Sequence, residues 1–126
     1  MEKTFSERVA EAKAAVPAVS ARDAHRRLAD DPQTLFIDPR SAGDIAATTG
    51  IIPGALNVPL KALSEAPDEA LPQEFASRSR PIIAACQGGP MGALAAYTLQ
   101  KRGFRNVSFI DGGTQGWLDA GYATCR

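Results

Sequence analysis

The residues best placed to carry out chemistry surround Cys86. This cysteine follows the apolar run 81–85 and stands directly before the turn 87–89, which reads Gln-Gly-Gly, while Pro90 has the position of a first helical residue. Glycines let the backbone curl closely, so that successive N–H groups can face one point. The partial positive charge at a helix start adds to this field. We therefore expect the sulfur of Cys86 to hold negative charge and to act as a nucleophile.

A plainer interpretation of the same residues stays open. Cys86 can be a small buried apolar residue at the end of a strand, as many free cysteines are. Gln87 can be a solvated loop residue, and Met91 can fill the core from the first helical turn. The order strand, cysteine, two glycines and helix favours the chemical interpretation over this one.

Composition excludes several other chemistries. The chain has 126 residues with 14 Lys and Arg against 14 Asp and Glu, so its zero net charge argues against a nucleic-acid partner. His25 is the single histidine, which excludes a multi-histidine metal centre. The two cysteines, Cys86 and Cys125, lack the spacing of a zinc site, and Cys125 lies where chain ends usually fray. We expect neither metal nor cofactor.

The apolar runs of this chain are short. None approaches the roughly 20 residues of a membrane-spanning helix, and residues 1–8 lack the apolar core of a secretory signal. The sequence therefore predicts a cytoplasmic protein with no membrane partner. Its oligomeric state is left open.

The elements that must position Cys86 alternate along the chain. The patterns predict strands at 34–37, 56–58, 81–86 and 107–110, and helices at 5–16, 21–28, 90–102 and 114–120. Alternation of this kind predicts a three-layer α/β/α fold with a mostly parallel sheet. Ligands of such sheets bind beyond the carboxyl ends of the strands, where Cys86 is expected. We divide the chain into a helical extension (1–16), one domain (17–122) and a tail (123–126).

Motifs along this chain resemble those of the rhodanese-like domain family. Their order and spacing fit over residues 19–121. The third motif is the strand ending in Cys86 with its short loop. The remaining motifs are Asp38-Pro39-Arg40, then Ile52-Pro53-Gly54-Ala55 with 56–60, and Gly112-Gly113 followed by Gly116-Trp117. The resemblance implies a single rhodanese-like domain with a five-stranded parallel sheet, and a cysteine that carries sulfane sulfur as a persulfide.

By this resemblance the protein is a sulfurtransferase with Cys86 as its nucleophile. The donor is thiosulfate or a persulfide, either a small molecule or a protein, and the acceptor is cyanide or a thiol. Backbone N–H groups would bind the sulfur anion, namely those of Gln87, Gly88, Gly89, Met91 and Gly92. The side chain of Arg40 is a candidate for binding substrate, although a structural ion pair with Asp38 is the favoured interpretation. The motif residues assigned to structure are Asp38, Pro53, Gly54, Gly112, Gly113 and Trp117.

The loop departs from the pattern of many active members of this family, which carry basic residues in it. Gln87 and Met91 stand at those positions, and no Lys or Arg occurs from residue 86 to residue 100. Pro90 removes one N–H from the loop, and Ile51 stands where the second motif usually begins with His. A neutral loop binds a doubly charged anion poorly, so we expect a persulfide donor to be used better than thiosulfate.

Two alternative functions follow from the same residues. The uncharged loop is compatible with a catalytically weak or inactive module that binds a partner. A cysteine phosphatase needs an arginine in the loop to hold the phosphoryl oxygens. The sixth residue after Cys86 is Gly92, so the sequence argues against a phosphatase.

Overall fold

The computed structural model describes residues 3–125 of the chain. Its helices are α1 (Phe5–Ala15), α2 (Ala21–Asp30), α3 (Ala42–Ala47), α4 (Leu60–Glu65), α5 (Pro90–Lys101) and α6 (Gly113–Asp119). Its strands are β1 (Ala18–Val19), β2 (Leu35–Asp38), β3 (Leu56–Asn57), β4 (Ile82–Ala84) and β5 (Val107–Ile110). Two short 3-10 turns, Asp68–Ala70 and Gln73–Phe75, lie between α4 and β4. No helix within 3–125 has the length and apolar character needed to cross a membrane.

The strands form one five-stranded sheet in the order β1-β5-β4-β2-β3. Every strand pair is parallel, which confirms the predicted fold class. The patterns in the sequence did not identify β1, because two residues are too few to show an alternation of apolar and polar side chains. Its pairing with β5, Ala18 opposite Phe109, supplies the fifth strand.

Side chains alternate between two cores on opposite faces of the sheet. In and just after β4, Ile82 and Ala84 belong to one core, whereas Ile83 and Ala85 belong to the other. Helices α1, α4 and α5 cover the first face, and α2 and α6 cover the second. The predicted three layers are therefore confirmed, and β4 is buried on both faces as its apolar sequence indicates.

Short polar side chains cap the starts of α2 and α3. Ser20 Oγ accepts a hydrogen bond of 3.0 Å from the Asp23 N–H at the start of α2, and Ser41 Oγ accepts one of 3.2 Å from the Asp44 N–H at the start of α3. Each bond satisfies a donor that the first helical turn leaves free. These caps fix where the chain turns from a loop into each helix.

The strand that leads to Cys86 is shorter than predicted. β4 ends at Ala84, so Cys86 lies two residues beyond its end and is not its last residue. The carbonyl oxygen of Cys86 accepts from the Thr114 N–H at 2.6 Å, which diverts the backbone from the sheet towards α6. Because β2 and β4 are parallel neighbours, the loops after them meet at one edge of the sheet.

Candidate active site

Cys86 lies at the floor of a cleft of about 480 Å³ at the carboxyl edge of the sheet. Only 3% of the residue is exposed. The backbone N–H of Gly89 donates to Cys86 Sγ over 2.9 Å, and a donor at this distance stabilises negative charge on sulfur. The lining residues are Phe5, Arg40, Asp44, Thr48, Cys86, Gln87, Gly88, Pro90 and Met91.

The bond from Gly89 depends on the backbone conformation of the loop. Gly89 has a φ of 121°, in the left-handed region that side chains other than glycine rarely adopt. It precedes Pro90, the first residue of α5. The N–H groups of Met91 and Gly92 fall in the first turn of α5, where helix geometry supplies no intrahelical acceptor. The loop thus presents a donor to the sulfur next to the positive end of a helix of 12 residues.

The start of α6 holds the Cys86 loop from behind. The N–H groups of Thr114 and Gln115 donate to the carbonyls of Cys86 and Gln87 at 2.6 and 3.0 Å. Gly113 allows this approach, because a Cβ at this position would lie 2.5 Å from the Cys86 carbonyl oxygen. Its φ of 62° also favours glycine. The Gly112-Gly113 motif therefore contacts the backbone that carries the sulfur.

Arg40 lies in the wall of the cleft, but its hydrogen bonds run inward. Its Nε donates to Asp38 Oδ1 at 3.0 Å and its Nη2 to Asp38 Oδ2 at 2.7 Å. Further donors reach the hydroxyls of Thr48 and Thr49 and the carbonyl of Gly50. Asp38 is 1% exposed and Arg40 is 4% exposed. The positive charge of Arg40 is thereby balanced within the protein.

The cleft as a whole has little positive charge to offer an anion. Among residues 3–125, Arg40 is the only Lys or Arg that lines it. Asp44 adds a carboxylate, and Pro90 and Met91 add apolar surface. The structure agrees in this respect with the neutral loop seen in the sequence.

The structure brings some of the predicted site residues together and places others elsewhere. Arg40, Cys86, Gln87, Gly88 and Met91 line the cleft. Gly89 and Gly92 are buried beside it and contribute backbone only. The residues that do not line it are Asp38, Pro53, Gly54, Gly112, Gly113 and Trp117.

The motif residues outside the cleft have structural surroundings. Pro53 and Gly54 form an exposed turn closed by a 3.0 Å bond from the Ala55 N–H to the Ile52 carbonyl. Trp117 is buried on the far face of the sheet, edge-on to Phe36. Its Nε1 donates to the carbonyl of Ala123 at 2.9 Å.

Sequence reasoning missed four lining residues: Phe5, Asp44, Thr48 and Pro90. Asp44 and Thr48 belong to α3 and its end, directly after the Asp38-Pro39-Arg40 motif, so the rule that ligands bind at the carboxyl edge could have indicated them. Pro90 was considered as a helix start and as a loop position without an N–H, but not as a lining residue. Nothing in the sequence connects Phe5 with Cys86, because their proximity depends on how α1 packs.

The C-terminal segment supports the loop that holds Arg40. Cys125 pairs with Ile51 through backbone hydrogen bonds of 2.7 and 2.8 Å in an antiparallel bridge. Thr124 Oγ1 donates to the Thr49 carbonyl at 2.7 Å, and the Thr49 hydroxyl accepts from Arg40. The expected fraying of the chain at Cys125 was therefore wrong, although its thiol is free and exposed.

The described residues assemble no metal site. Within 3–125, no group of three or more His, Cys, Asp or Glu side chains is arranged to hold a metal ion. The groups that the cleft offers for chemistry are one sulfur atom and one backbone donor, beside the carboxylate of Asp44 and the internally paired Arg40.

Comparisons with solved structures reproduce this architecture. A protein of unknown function from Rhodopseudomonas palustris, described as a possible tyrosine phosphatase, superimposes with a TM-score of 0.86 at 23% identity, over 99% of this chain and 96% of that one. A homodimeric polysulfide-sulfur transferase from Wolinella succinogenes superimposes with a TM-score of 0.75 at 24% identity, over 96% of this chain and 86% of that one. A human single-domain sulfurtransferase superimposes with a TM-score of 0.66 at 26% identity, over 82% of this chain and 96% of that one. At these identities the first two likenesses establish the fold alone.

Comparison of the sequence with known proteins shows the family as well as the fold. A tRNA uridine(34) hydroxylase of Pectobacterium carotovorum is 31% identical over 86 residues, or 68% of this chain. The matched part spans only 24% of that relative's length. The family model of the rhodanese-like domain matches residues 20–120, which include the Cys86 loop and the Gly112-Gly113 turn. The chain therefore belongs to the rhodanese-like domain family.

Proposed function

We propose that this protein is a sulfurtransferase that carries sulfane sulfur as a persulfide on Cys86. The observation that carries the proposal is the 2.9 Å bond from the Gly89 N–H to Cys86 Sγ at the floor of the cleft. A preformed donor of this kind needs no reorganisation when negative charge arrives. Membership of the rhodanese-like family supports the same function.

The first step loads the cysteine. The thiolate of Cys86 attacks the outer sulfur of the donor, and its electron pair forms the new S–S bond. The S–S bond of the donor breaks, and the leaving group takes that electron pair. Thiosulfate would leave sulfite, and an organic persulfide R–S–SH would leave the thiolate RS⁻. The sulfane sulfur passes to Cys86 without an external oxidant or reductant.

The second step unloads it. A nucleophilic acceptor attacks the outer sulfur of the Cys86 persulfide, and the electron pair of the broken S–S bond returns to Cys86 as a thiolate. Cyanide gives thiocyanate, and a thiolate gives a new persulfide. Splitting the transfer into two displacements separates the donor from the acceptor, as covalent catalysis commonly does. The Gly89 N–H, which donates to Cys86 Sγ, stabilises the thiolate to which this step returns the cysteine.

The charges of the cleft favour a persulfide donor over thiosulfate. The Arg40 guanidinium is paired with Asp38 at 2.7 Å, and Asp44 contributes a carboxylate to the lining. A dianion such as thiosulfate therefore meets no unpaired cation among the described residues of the wall. A persulfide carries less charge, so its approach to the cleft costs less.

The test is the mass of the intact protein after incubation with donor. The wild type should gain the mass of one sulfur atom, which cyanide should remove. Cys125→Ser should gain sulfur like the wild type, because the proposal places the sulfur on Cys86 and not on the exposed thiol of Cys125. Cys86→Ser should gain no sulfur. Sulfur appearing on Cys86→Ser, or none on the wild type with any donor, would contradict the proposal.

A second candidate function is a partner-binding module without transfer activity. The internal pairing of Arg40 with Asp38 favours it, because within residues 3–125 the cleft then offers small anionic substrates no unpaired cation. This function predicts no gain of sulfur on Cys86 from thiosulfate or from a persulfide. The same mass measurement decides between the two functions.

A further inference from the structure

One aromatic ring in the lining of the Cys86 cleft is largely exposed. Phe5 is 57% exposed and is the only large apolar side chain classed as exposed within residues 3–125. It lines the cleft together with Pro90 and Met91. Covering this apolar part of the lining with an apolar group of a ligand is favourable, because it removes apolar surface from water. Phe5 also lies outside residues 20–120, which match the family.

Helix α1 holds this ring in a defined place. Thr4 and Glu7 form a reciprocal cap at the start of α1, through bonds of 3.1 Å in both directions. Farther along, the Tyr97 hydroxyl donates to Glu11 at 2.9 Å, while Ala12 is fully buried in the core. The ring is therefore presented on an anchored helix and not on a loose chain end.

Ionised groups reinforce this anchor. Hydrogen bonds from Lys3 and then from Tyr97 hold the pKa of Glu11 below its usual range. Glu11 thus stays ionised at neutral pH and keeps accepting from Tyr97, which lies on α5. Since α5 begins beside Cys86, the distance between Phe5 and the reactive loop is set by direct packing of α1 on α5.

The rim of the cleft is therefore apolar on one side and almost neutral elsewhere. We infer that the sulfur donor carries an apolar organic group, which packs against Phe5 and Met91 while the sulfane sulfur faces Cys86. This inference rests on the proposed function and narrows its substrate class to organic sulfane-sulfur compounds. Phe5 acts as a specificity-determining residue, and α1 forms part of the site.

The chemistry balances for stable donors of this class. An organic thiosulfonate, R–SO₂–S⁻, transfers its terminal sulfur when the Cys86 thiolate attacks it. A new S–S bond forms on Cys86, and the sulfinate R–SO₂⁻ leaves with the electron pair of the broken S–S bond. Benzenethiosulfonate and methanethiosulfonate carry the same charge and the same sulfane sulfur, and they differ in the size of the apolar group.

The experiment compares kcat/KM for these two donors with cyanide as acceptor. Covering one aromatic face should give the wild type a preference for the benzene donor of about tenfold, equivalent to about 1.4 kcal/mol. Phe5→Ala should reduce this preference about fivefold by raising KM for the benzene donor. Phe5→Leu should retain most of the preference, and Ser6→Ala, an exposed neighbour on α1, should leave it unchanged.

The outcomes separate this inference from the function on which it rests. If Cys86 gains sulfur but Phe5→Ala keeps the full preference, the inference is overturned and the sulfurtransferase function stands. Equal use of both donors by the wild type would overturn it as well. If neither thiosulfonate loads Cys86 but a persulfide does, the inference fails and the proposed function stands. If no donor of any class loads Cys86, both fail.

Discussion

Two loops meet at the carboxyl edge of the sheet, and they use their polar groups in opposite ways. At the end of β2 and just after it, the carboxylate of Asp38 and the guanidinium of Arg40 bind each other, and both are buried. After β4, the sulfur of Cys86 accepts one bond from Gly89 and faces a cleft. The first loop pairs its charges internally, whereas the second places in the cleft lining a sulfur atom that accepts a backbone hydrogen bond and has no ion-pair partner among residues 3–125.

The two loops at this edge of the sheet therefore have different roles: the Asp38–Arg40 pair stabilises the fold, and Cys86 carries the chemistry that we propose. A buried ion pair that loses one partner leaves an uncompensated charge, which is costly. A thiol at the floor of a cleft can change its chemistry at little cost to packing. We therefore expect substitutions after β2 to lower the free energy of unfolding, and substitutions after β4 to lower sulfur transfer.

The sharpest test of this contrast is Asp38→Asn. It leaves the Arg40 charge buried without its partner and should lower the free energy of unfolding by about 3–5 kcal/mol. Asp44→Asn is the matched control, since Asp44 loses the same charge from an exposed position nearby and should cost less than about 1 kcal/mol. Urea unfolding of both variants measures the difference.

The contrast would break down if Asp38→Asn unfolded like the wild type but lost sulfur transfer. The Asp38 and Arg40 pair would then belong to the chemistry of the site. Cys86→Ser completes the comparison, because it should abolish transfer while leaving the urea midpoint near that of the wild type.

A smaller effect is expected at Gly113, where the reactive loop rests on α6. A methyl group there would lie 2.5 Å from the Cys86 carbonyl oxygen, so Gly113→Ala must displace the loop and should cost about 2–3 kcal/mol. Gly43→Ala on α3 is the control, because a Cβ at this exposed position meets no atom within 4 Å. The midpoint temperature of thermal unfolding and the rate of sulfur transfer should both fall for Gly113→Ala and stay unchanged for the control. Equal losses in the two variants would mean that the α6 contact does not hold the loop.

The smallest effect concerns the loop after Cys86, which carries no Lys or Arg. Met91→Arg adds a cation to the rim, and one added charge is worth about 1 kcal/mol at about 4 Å in water, or about fivefold in kcat/KM for thiosulfate. The gain should shrink as salt is added, because exposed charges are screened. Met91→Gln, which is polar but neutral, should show no gain. A similar gain in both variants would place the limitation in the shape of the rim and not in its charge.

The sequence predicted the fold well because its signals are local. The apolar run before Cys86, the serine caps at Ser20 and Ser41, and the glycine after α5 each act within a few residues of themselves. β1 escaped prediction because its two residues gain their strand conformation from pairing with β5. The end of β4 was misplaced because a distant N–H, that of Thr114, draws the Cys86 carbonyl out of the sheet.

The surroundings of the sulfur were less predictable than the sulfur itself. Cys86 was found from its neighbours in the sequence, whereas Phe5 reaches the cleft only through the packing of α1 on α5. The inward direction of the Arg40 guanidinium likewise depends on Thr49 and Gly50. Such contacts join residues that no periodic pattern relates.

The bridge between Ile51 and Cys125 has a practical consequence for protein engineering. Through Thr124 and Thr49 it connects the C-terminal segment to the hydrogen bonds of Arg40. A bulky fusion partner attached close behind this bridge would strain it and disturb the wall of the cleft. A glycine- and serine-rich spacer would transmit little force, since such linkers behave as flexible coils. Immobilisation for activity measurements is therefore best carried out through a spacer of this kind.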